Sequence, residues 1–180
     1  MGRDKAHLEI EGENMLFRIR ELLSGIGDIR IVSRPGLPRY LPGVPVVYDR
    51  FLDKGPLAGI HAGLMSSEQD YNLVVACDMP FVSSELAHLL FREAKGVDAV
   101  VPEYDGQIHP LFAVYHRRCL PELESFLEKG ECRVRSFLRE IHTRYIPVEK
   151  WVSDMTLFNM NSPADWQKAN QISQSAKNPC

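Results

Sequence analysis

Several absences narrow the class of this chain. Its four cysteines, Cys77, Cys119, Cys132 and Cys180, are scattered, with neither a CxxC pair nor the spacing of a zinc site. This pattern excludes a disulfide-stapled scaffold and fits reduced thiols in the cytoplasm. No apolar run approaches the length of a membrane span, and the opening MGRDKAHLEI holds no apolar signal-peptide core. Charge of neither sign dominates: the formal net charge is −3 over 180 residues, which argues against a nucleic-acid surface. Local basic groups can still hold a small phosphorylated ligand. No Ser-His-Asp arrangement, HExxH or EF-hand loop occurs, so hydrolase and zinc-enzyme readings have no support. Repeats and low-complexity blocks are also missing. What is present, 44% hydrophobic and 25% charged residues, is ordinary for one soluble domain with a sizeable core.

The most informative stretch is 72–81, NLVVACDMPF. An apolar run without polar alternation reads as a strand covered on both faces, as in a parallel sheet. It ends in Cys77, Asp78, Met79 and Pro80, and Pro80 prevents the ladder from continuing. Asp78 therefore stands at a strand's carboxyl end, where open α/β sheets bind ligands. A carboxylate there suits a hard cation that carries phosphates. The plainer alternative is an Asp that bonds the backbone of its own turn.

Elsewhere strand and helix patterns alternate. Helices are expected over 13–23, from Gly55 to Leu64, over 83–94 with a Ser83-Ser84-Glu85 cap, over 120–127 and 134–141, and from Pro163 to Ala169. Strands are expected over 28–33 (DIRIVS), 44–48 (VPVVY), 97–101, 111–115 and 144–148, with 158–161 short and strand-like. This order predicts a three-layer, Rossmann-like α/β fold with a mostly parallel central sheet. One domain is expected over 1–172, followed by a polar, frayed tail over 173–180.

Several side chains are candidates for chemistry. Gly2 and Lys5, in GRDK, combine a close backbone approach with a mobile positive charge, although a surface Lys is the plainer reading. Asp49 closes a strand as Asp78 does, or else pairs with Arg50. Gly55 and Gly59 flank a helix start that offers N–H groups to an anion, or serve close helix–sheet packing. His109, beside Pro110, is a substrate contact or a surface-turn His. Asn159 and Asn161 alternate, so that both face one way to read a heterocycle, or belong to the turn before Ser162-Pro163. Arg133, Arg135 and Arg139 form a basic cluster of the kind that is usually a solvated helix face.

Taken together, MGRDK (1–5), LDKGPLAGIHAGL (52–64), CDMPFV (77–82), HPLFAVY (109–115) and FNMNSPADW (158–166) resemble the successive motifs of molybdenum cofactor guanylyltransferases. The resemblance runs from Met1 to about Gln171. It implies transfer of GMP from GTP to molybdenum-molybdopterin with Mg²⁺, giving the guanine dinucleotide cofactor and pyrophosphate. By position it implies that Gly2 belongs to the phosphate-binding turn and Lys5 contacts the nucleotide phosphates. It likewise implies that Asp49 helps bind GTP and Asp78 ligates Mg²⁺. His109, Pro110, Asn159 and Asn161 match positions that line the family's cleft. A further family position falls near Val32-Ser33, where the family commonly has Asn.

A monomer is expected, with other cofactor-assembly proteins and recipient molybdoenzymes as candidate partners, and neither nucleic acid nor membrane. Two alternatives stay open: a cytidylyl- or sugar-1-phosphate nucleotidyltransferase, and a catalytically impaired nucleotide-fold remnant in cofactor assembly. The family's chains begin with an apolar strand and a loop of the form LAGGxSxRMGxDK, whereas this sequence starts at the MG of that loop. The comparison thus predicts a sheet lacking the strand between DIRIVS and NLVVACD, with two ladder edges unpaired.

Overall fold

The computed structural model describes residues 9–37, 40–153 and 155–177. Gly2 and Lys5 lie outside them. In chain order the elements are β1 (Glu9–Ile10), β2 (Glu13–Asn14), α1 (Met15–Leu22), β3 (Ile31–Ser33), β4 (Val46–Tyr48), α2 (Gly55–Ser66), β5 (Tyr71–Val75) and α3 (Ser84–Arg92). Then come β6 (Ala99–Tyr104), β7 (Gln107–Ile108), β8 (Phe112–His116), a 3₁₀ turn at Arg117–Cys119, α4 (Leu120–Glu128), α5 (Val134–Glu140), β9 (Thr143–Pro147) and α6 (Pro163–Lys177). Among the described residues no helix is long and apolar enough to cross a membrane.

The larger sheet runs β5-β8-β6-β7, with β9 paired to the other side of β6. β5, β6 and β9 share one direction, because β8 is antiparallel to both β5 and β6, and β9 is parallel to β6. The direction reverses through the turn at Asp105-Gly106, with φ of 48° and 68°. Consecutive left-handed residues are what a two-residue hairpin demands, and an Asp-Gly pair adopts them at little cost. This turn lets the chain double back through β7 and enter β8 beside β5.

Side-chain alternation divides the core into the faces that make three layers. Val100, Phe112 and Val114 pack with Leu86, Leu89 and Leu90 of α3 on one face. Ala99, Val101, Ala113 and Tyr115 pack with α2, α4 and α5 on the other, through Leu57, Ile60, Leu123, Phe137 and Leu138. The expected Ser83 cap of α3 is present: its hydroxyl accepts from Leu86 N at 3.2 Å. A smaller cluster of Ile10, Met15, Met160 and Ala169 joins β1, α1 and α6.

β3 and β4 form a separate parallel pair. α2 packs on β3, β4 and β5 and so bridges the two sheets. A Cβ on Gly63 would lie 3.6 Å from Val32 Cγ2, an ordinary contact distance, so this face of the helix lies against β3 without requiring a glycine there. Among the described residues β3 pairs only with β4, and β5 only with β8. All of β5 is consequently half-buried, although its apolar run reads as covered on both sides, whereas Val100, Val101 and residues 112–115 are fully buried.

Two expectations need correction. Residues 158–161 form no strand: Phe158 N bonds Met155 O, Met160 N bonds Asp78 O and Asn161 N bonds Asp165, so their amides serve a turn, a neighbouring loop and a helix cap. Nor does the chain fray from Ser173. α6 continues to Lys177, and Ser173 is buried with its hydroxyl donating to Glu11 Oε2 at 2.9 Å. The same helix receives Glu11 N on Asn170 Oδ1 and sends Trp166 Nε1 to Glu9 O, so the polar residues at its end serve docking.

Candidate active site

Asp78 lies in the turn just past β5 and is half-buried. The β5–β8 register sets Val75 opposite Phe112, and Ala76 N donates to Leu111 O at 2.8 Å. The ladder ends there: Phe112 N on His109 O closes a turn over 109–112, and Leu111 in that turn holds the His109-Pro110 segment to the strand end that leads to Asp78. On its other side Asp78 accepts, through its carbonyl, the amide of Met160 at 2.9 Å. Met160 is buried, and Asn159 and Asn161, half-buried and exposed, flank it. The motifs around Asp78 and Asn159–Asn161 are thus tied directly just past β5, and the His109-Pro110 turn is held to the end of β5 through Leu111.

Each arm of this junction is held by its own bonds. Tyr115, fully buried, donates its hydroxyl to Pro110 O at 2.8 Å, and burial pushes its pKa upward. His109 N donates to Pro102 O at 3.0 Å, and Phe112 N donates back to His109 O at 3.1 Å. The Asn159–Asn161 arm is fixed by the cap of α6. Asp165 Oδ2 accepts from Asn161 N at 2.9 Å and Ser162 N at 2.8 Å, while Ser162 Oγ accepts from Asp165 N at 3.2 Å. Bonding to the Ser162 side chain first, then to these amides, holds the Asp165 pKa below the usual carboxylate range. Asp165 is a positioning residue absent from the sequence-based site, yet its Ser-x-x-Asp spacing is a legible capping signal.

His109 is half-buried, and its Nε2 is buried without a hydrogen-bond partner among the described residues. Burial, and then the charge of Arg135, lower its pKa, so the imidazole is neutral at neutral pH. Asp49, just after β4, keeps its amide on Ser33 O at 3.2 Å. Its Oδ1 is likewise buried without a partner among the described residues. Buried polar atoms left in this state are costly and suit a site completed by a ligand. Neither the Asp78–Met160 bond nor the Ala76–Leu111 bond reaches Asp49, which stands just after β4 of the smaller sheet and is linked through α2. Ser33, where the family commonly has Asn, is buried and donates its hydroxyl to Leu37 O at 3.2 Å, tying its own loop.

The start of α2 has no side-chain cap, and Pro56 occupies its first turn. Gly55 has a φ of 61°. Lys54 reaches across so that a Cβ on Gly130 would lie 3.8 Å from its Nζ, which brings the α4–α5 turn up to this helix start.

A divalent cation fits the donors present. Asp78 supplies a hard carboxylate, and among the described residues no cluster of three or more His, Cys, Asp or Glu exists to cage a metal. Mg²⁺ suits a site of this kind, since it usually keeps waters and takes one or two carboxylates together with substrate phosphates.

The family of MobA-like NTP transferase domains matches residues 1–145. A probable molybdenum cofactor guanylyltransferase of Pelotomaculum thermopropionicum is 34% identical over 182 aligned positions, covering 98% of this chain and 89% of that protein. A molybdenum cofactor guanylyltransferase of Vibrio atlanticus is 32% identical, covering 91% and 85%. The crystal structure of molybdopterin-guanine dinucleotide biosynthesis protein A from Archaeoglobus fulgidus superposes with a TM-score of 0.82 at 27% identity, covering 97% and 92%.

Proposed function

The chain belongs to the MobA-like NTP transferase family, and on that premise we propose that it transfers GMP from GTP to molybdenum-molybdopterin, forming the guanine dinucleotide cofactor and releasing pyrophosphate. The reading rests above all on the junction at β5, where the Asp78 carbonyl and the Met160 amide tie two of the motifs that resemble the guanylyltransferases.

In the proposed reaction a terminal phosphate oxygen of molybdopterin attacks the α-phosphorus of GTP in line. A P–O bond forms, the bond to the β-phosphate breaks, and pyrophosphate leaves with the electron pair. The attacking phosphate is already ionised, so no general base is required, and the protein acts by positioning and charge neutralisation. Asp78 would hold a divalent cation, proposed to be Mg²⁺, which when bound neutralises charge on the phosphates. The uncapped start of α2 presents amide N–H groups suited to phosphate oxygens. Gly2 and Lys5 are assigned to the nucleotide phosphates, and Asp49 to GTP. His109, Pro110, Asn159 and Asn161 are assigned to the acceptor side of the cleft. We further propose a monomer in the cytoplasm, a location supported by the free thiols of Cys119 and Cys132.

The test is incubation of the chain with molybdenum-molybdopterin, Mg²⁺ and either GTP or CTP, with pyrophosphate release and product mass both measured. Formation of the guanine dinucleotide with GTP in preference to CTP is expected. A preference for CTP, or no product with either nucleotide, would overturn the reading.

A further inference from the structure

The segment that carries Asp78 is gripped at three successive residues. The Asp78 carbonyl takes the Met160 amide at 2.9 Å. Met79 is buried in the core cluster on the α3 face of the sheet. The Pro80 carbonyl accepts from Arg18 Nε at 2.8 Å. Pro80 has no amide N–H, so its carbonyl is the one polar backbone group by which this end of the segment can be held.

Arg18 is itself fixed. It stands on α1, 62 residues before Pro80, so the bond between them is tertiary. Its side chain is only 16% exposed, and Nη1 pairs with Glu13 Oε2 at 3.3 Å. The guanidinium also lies 5.4 Å from the centre of the Phe81 ring, the residue after Pro80, within the range of a cation–π contact. A planar fork can make both polar contacts at once, whereas an ammonium on a flexible stem holds them less well. With Nε on Pro80 and Nη1 on Glu13, these donors serve the protein, so Arg18 acts on the Asp78 segment rather than on a substrate.

We propose that Arg18 is a positioning residue for the guanylyl transfer: by holding the Pro80 carbonyl it sets the aim of the Asp78 carboxylate at the divalent cation. This rests on the guanylyl-transfer reading above, with the cation on Asp78. A lone carboxylate has no cage of other ligands to correct its aim, so its backbone must be fixed from outside. Partners that orient a metal ligand are typically worth about 10–100-fold in metal affinity or activity.

The experiment compares the wild-type chain with Arg18→Met and Arg18→Lys, below the melting temperature of all three. In steady-state transfer, Arg18→Met raises the Mg²⁺ concentration for half-maximal rate by about tenfold or more and leaves KM for GTP, measured at saturating Mg²⁺, unchanged. Arg18→Lys falls between. In NMR titrations with neither nucleotide nor acceptor, Mn²⁺ broadens the Met79 methyl signal of wild type but not of Asp78→Asn. Arg18→Met needs about tenfold more Mn²⁺ for the same broadening. A merely structural tie would lower the melting temperature and leave both metal dependences of the folded chain as in wild type. That result overturns the inference while the reaction stands. If Arg18→Met does not fold, Arg18→Lys carries the comparison, and wild-type metal dependence in it overturns the proposal equally. If wild type transfers nothing, yet Mn²⁺ reaches Met79 more weakly in Arg18→Met, the positioning role stands and the reaction assignment fails. Mn²⁺ that leaves the Met79 signal of wild type unbroadened counts against the inference.

Discussion

At the residue scale the side chain on which the proposed reaction turns is Asp78. Its backbone is held by Met160 through its carbonyl, so the carboxylate can be neutralised without losing that bond. Asp78→Asn is therefore expected to reduce GMP transfer by about a hundredfold or more, because the charge that would hold the cation is gone. Circular dichroism and melting should stay near wild type. Near-normal transfer by a correctly folded Asp78→Asn chain would show that the cation is held elsewhere. The position of Asp78 just past a strand was legible in the sequence, because an apolar run stopped by Pro80 marks a strand end. The turn that carries His109 and Pro110 was legible as the break before the 111–115 strand. Asn159 and Asn161 were expected on a strand-like piece and lie instead beside a turn and a helix cap, since strand-like alternation says nothing about where the amides bond. Ile108 and Leu111 pack against the core cluster that also holds Val134, Phe137 and Leu138, a tertiary relation that spacing along the chain does not carry.

At the scale of the element, α2 carries a liability the others lack. His61 in its middle is 1% exposed, and neither ring nitrogen has a hydrogen-bond partner among the described residues. Its ring meets Phe51 edge-on at 5.1 Å. Burial lowers its pKa from the ordinary 6.5; Glu124 opposes that shift and Arg50 adds to it. The unfolded chain therefore binds a proton at His61 more readily than the folded one does. By linkage, stability is fully present above about pH 6.5 and is lost as pH falls from there towards the lower folded pKa. His109 is shifted in the same direction and contributes to the same slope. His61→Leu is expected to raise stability at neutral pH by about 1–3 kcal/mol, the usual cost of leaving a buried polar group unpaired. It should also flatten part of the acid slope. Urea unfolding of both chains between pH 5 and 8 measures the two effects (the range brackets an ordinary His pKa). An unchanged slope in His61→Leu would mean that His61 does not titrate as a buried, unpartnered group. The sequence showed a helix here with glycines suited to close packing, but an apolar helix with one His does not reveal whether its ring nitrogens find partners.

At the scale of the whole molecule, the layers and directions follow from the strand–helix order, and the similarity to the Archaeoglobus fulgidus structure extends over nearly the full chain. The unusual feature is the lane between the sheets. Among the described residues β3 and β5 each pair on one edge only, yet α2 packs on both, so the helix spans a gap that no described ladder closes. β5 is half-buried along its whole length as a result. Unpaired strand edges leave amides and carbonyls without ladder partners, and a half-covered apolar strand forgoes burial. A strand of matching length in that lane would satisfy both edges, and a glycine-rich turn after it would add amide N–H groups near the uncapped start of α2. Fusing about twenty residues ahead of Met1, an apolar strand followed by a loop of the LAGGxSxR type, is therefore expected to raise the melting temperature by about 5 °C or more and to tighten GTP binding. The two chains are compared by thermal melting and by calorimetric titration with GTP. A gain in melting temperature without a gain in GTP affinity would place the new strand in the lane but detach the loop from the phosphates. If neither quantity changes, the edges of β3 and β5 are already satisfied in solution, and the assignment of the nucleotide to the Asp49 side of Asp78 falls with the lane that was to hold it.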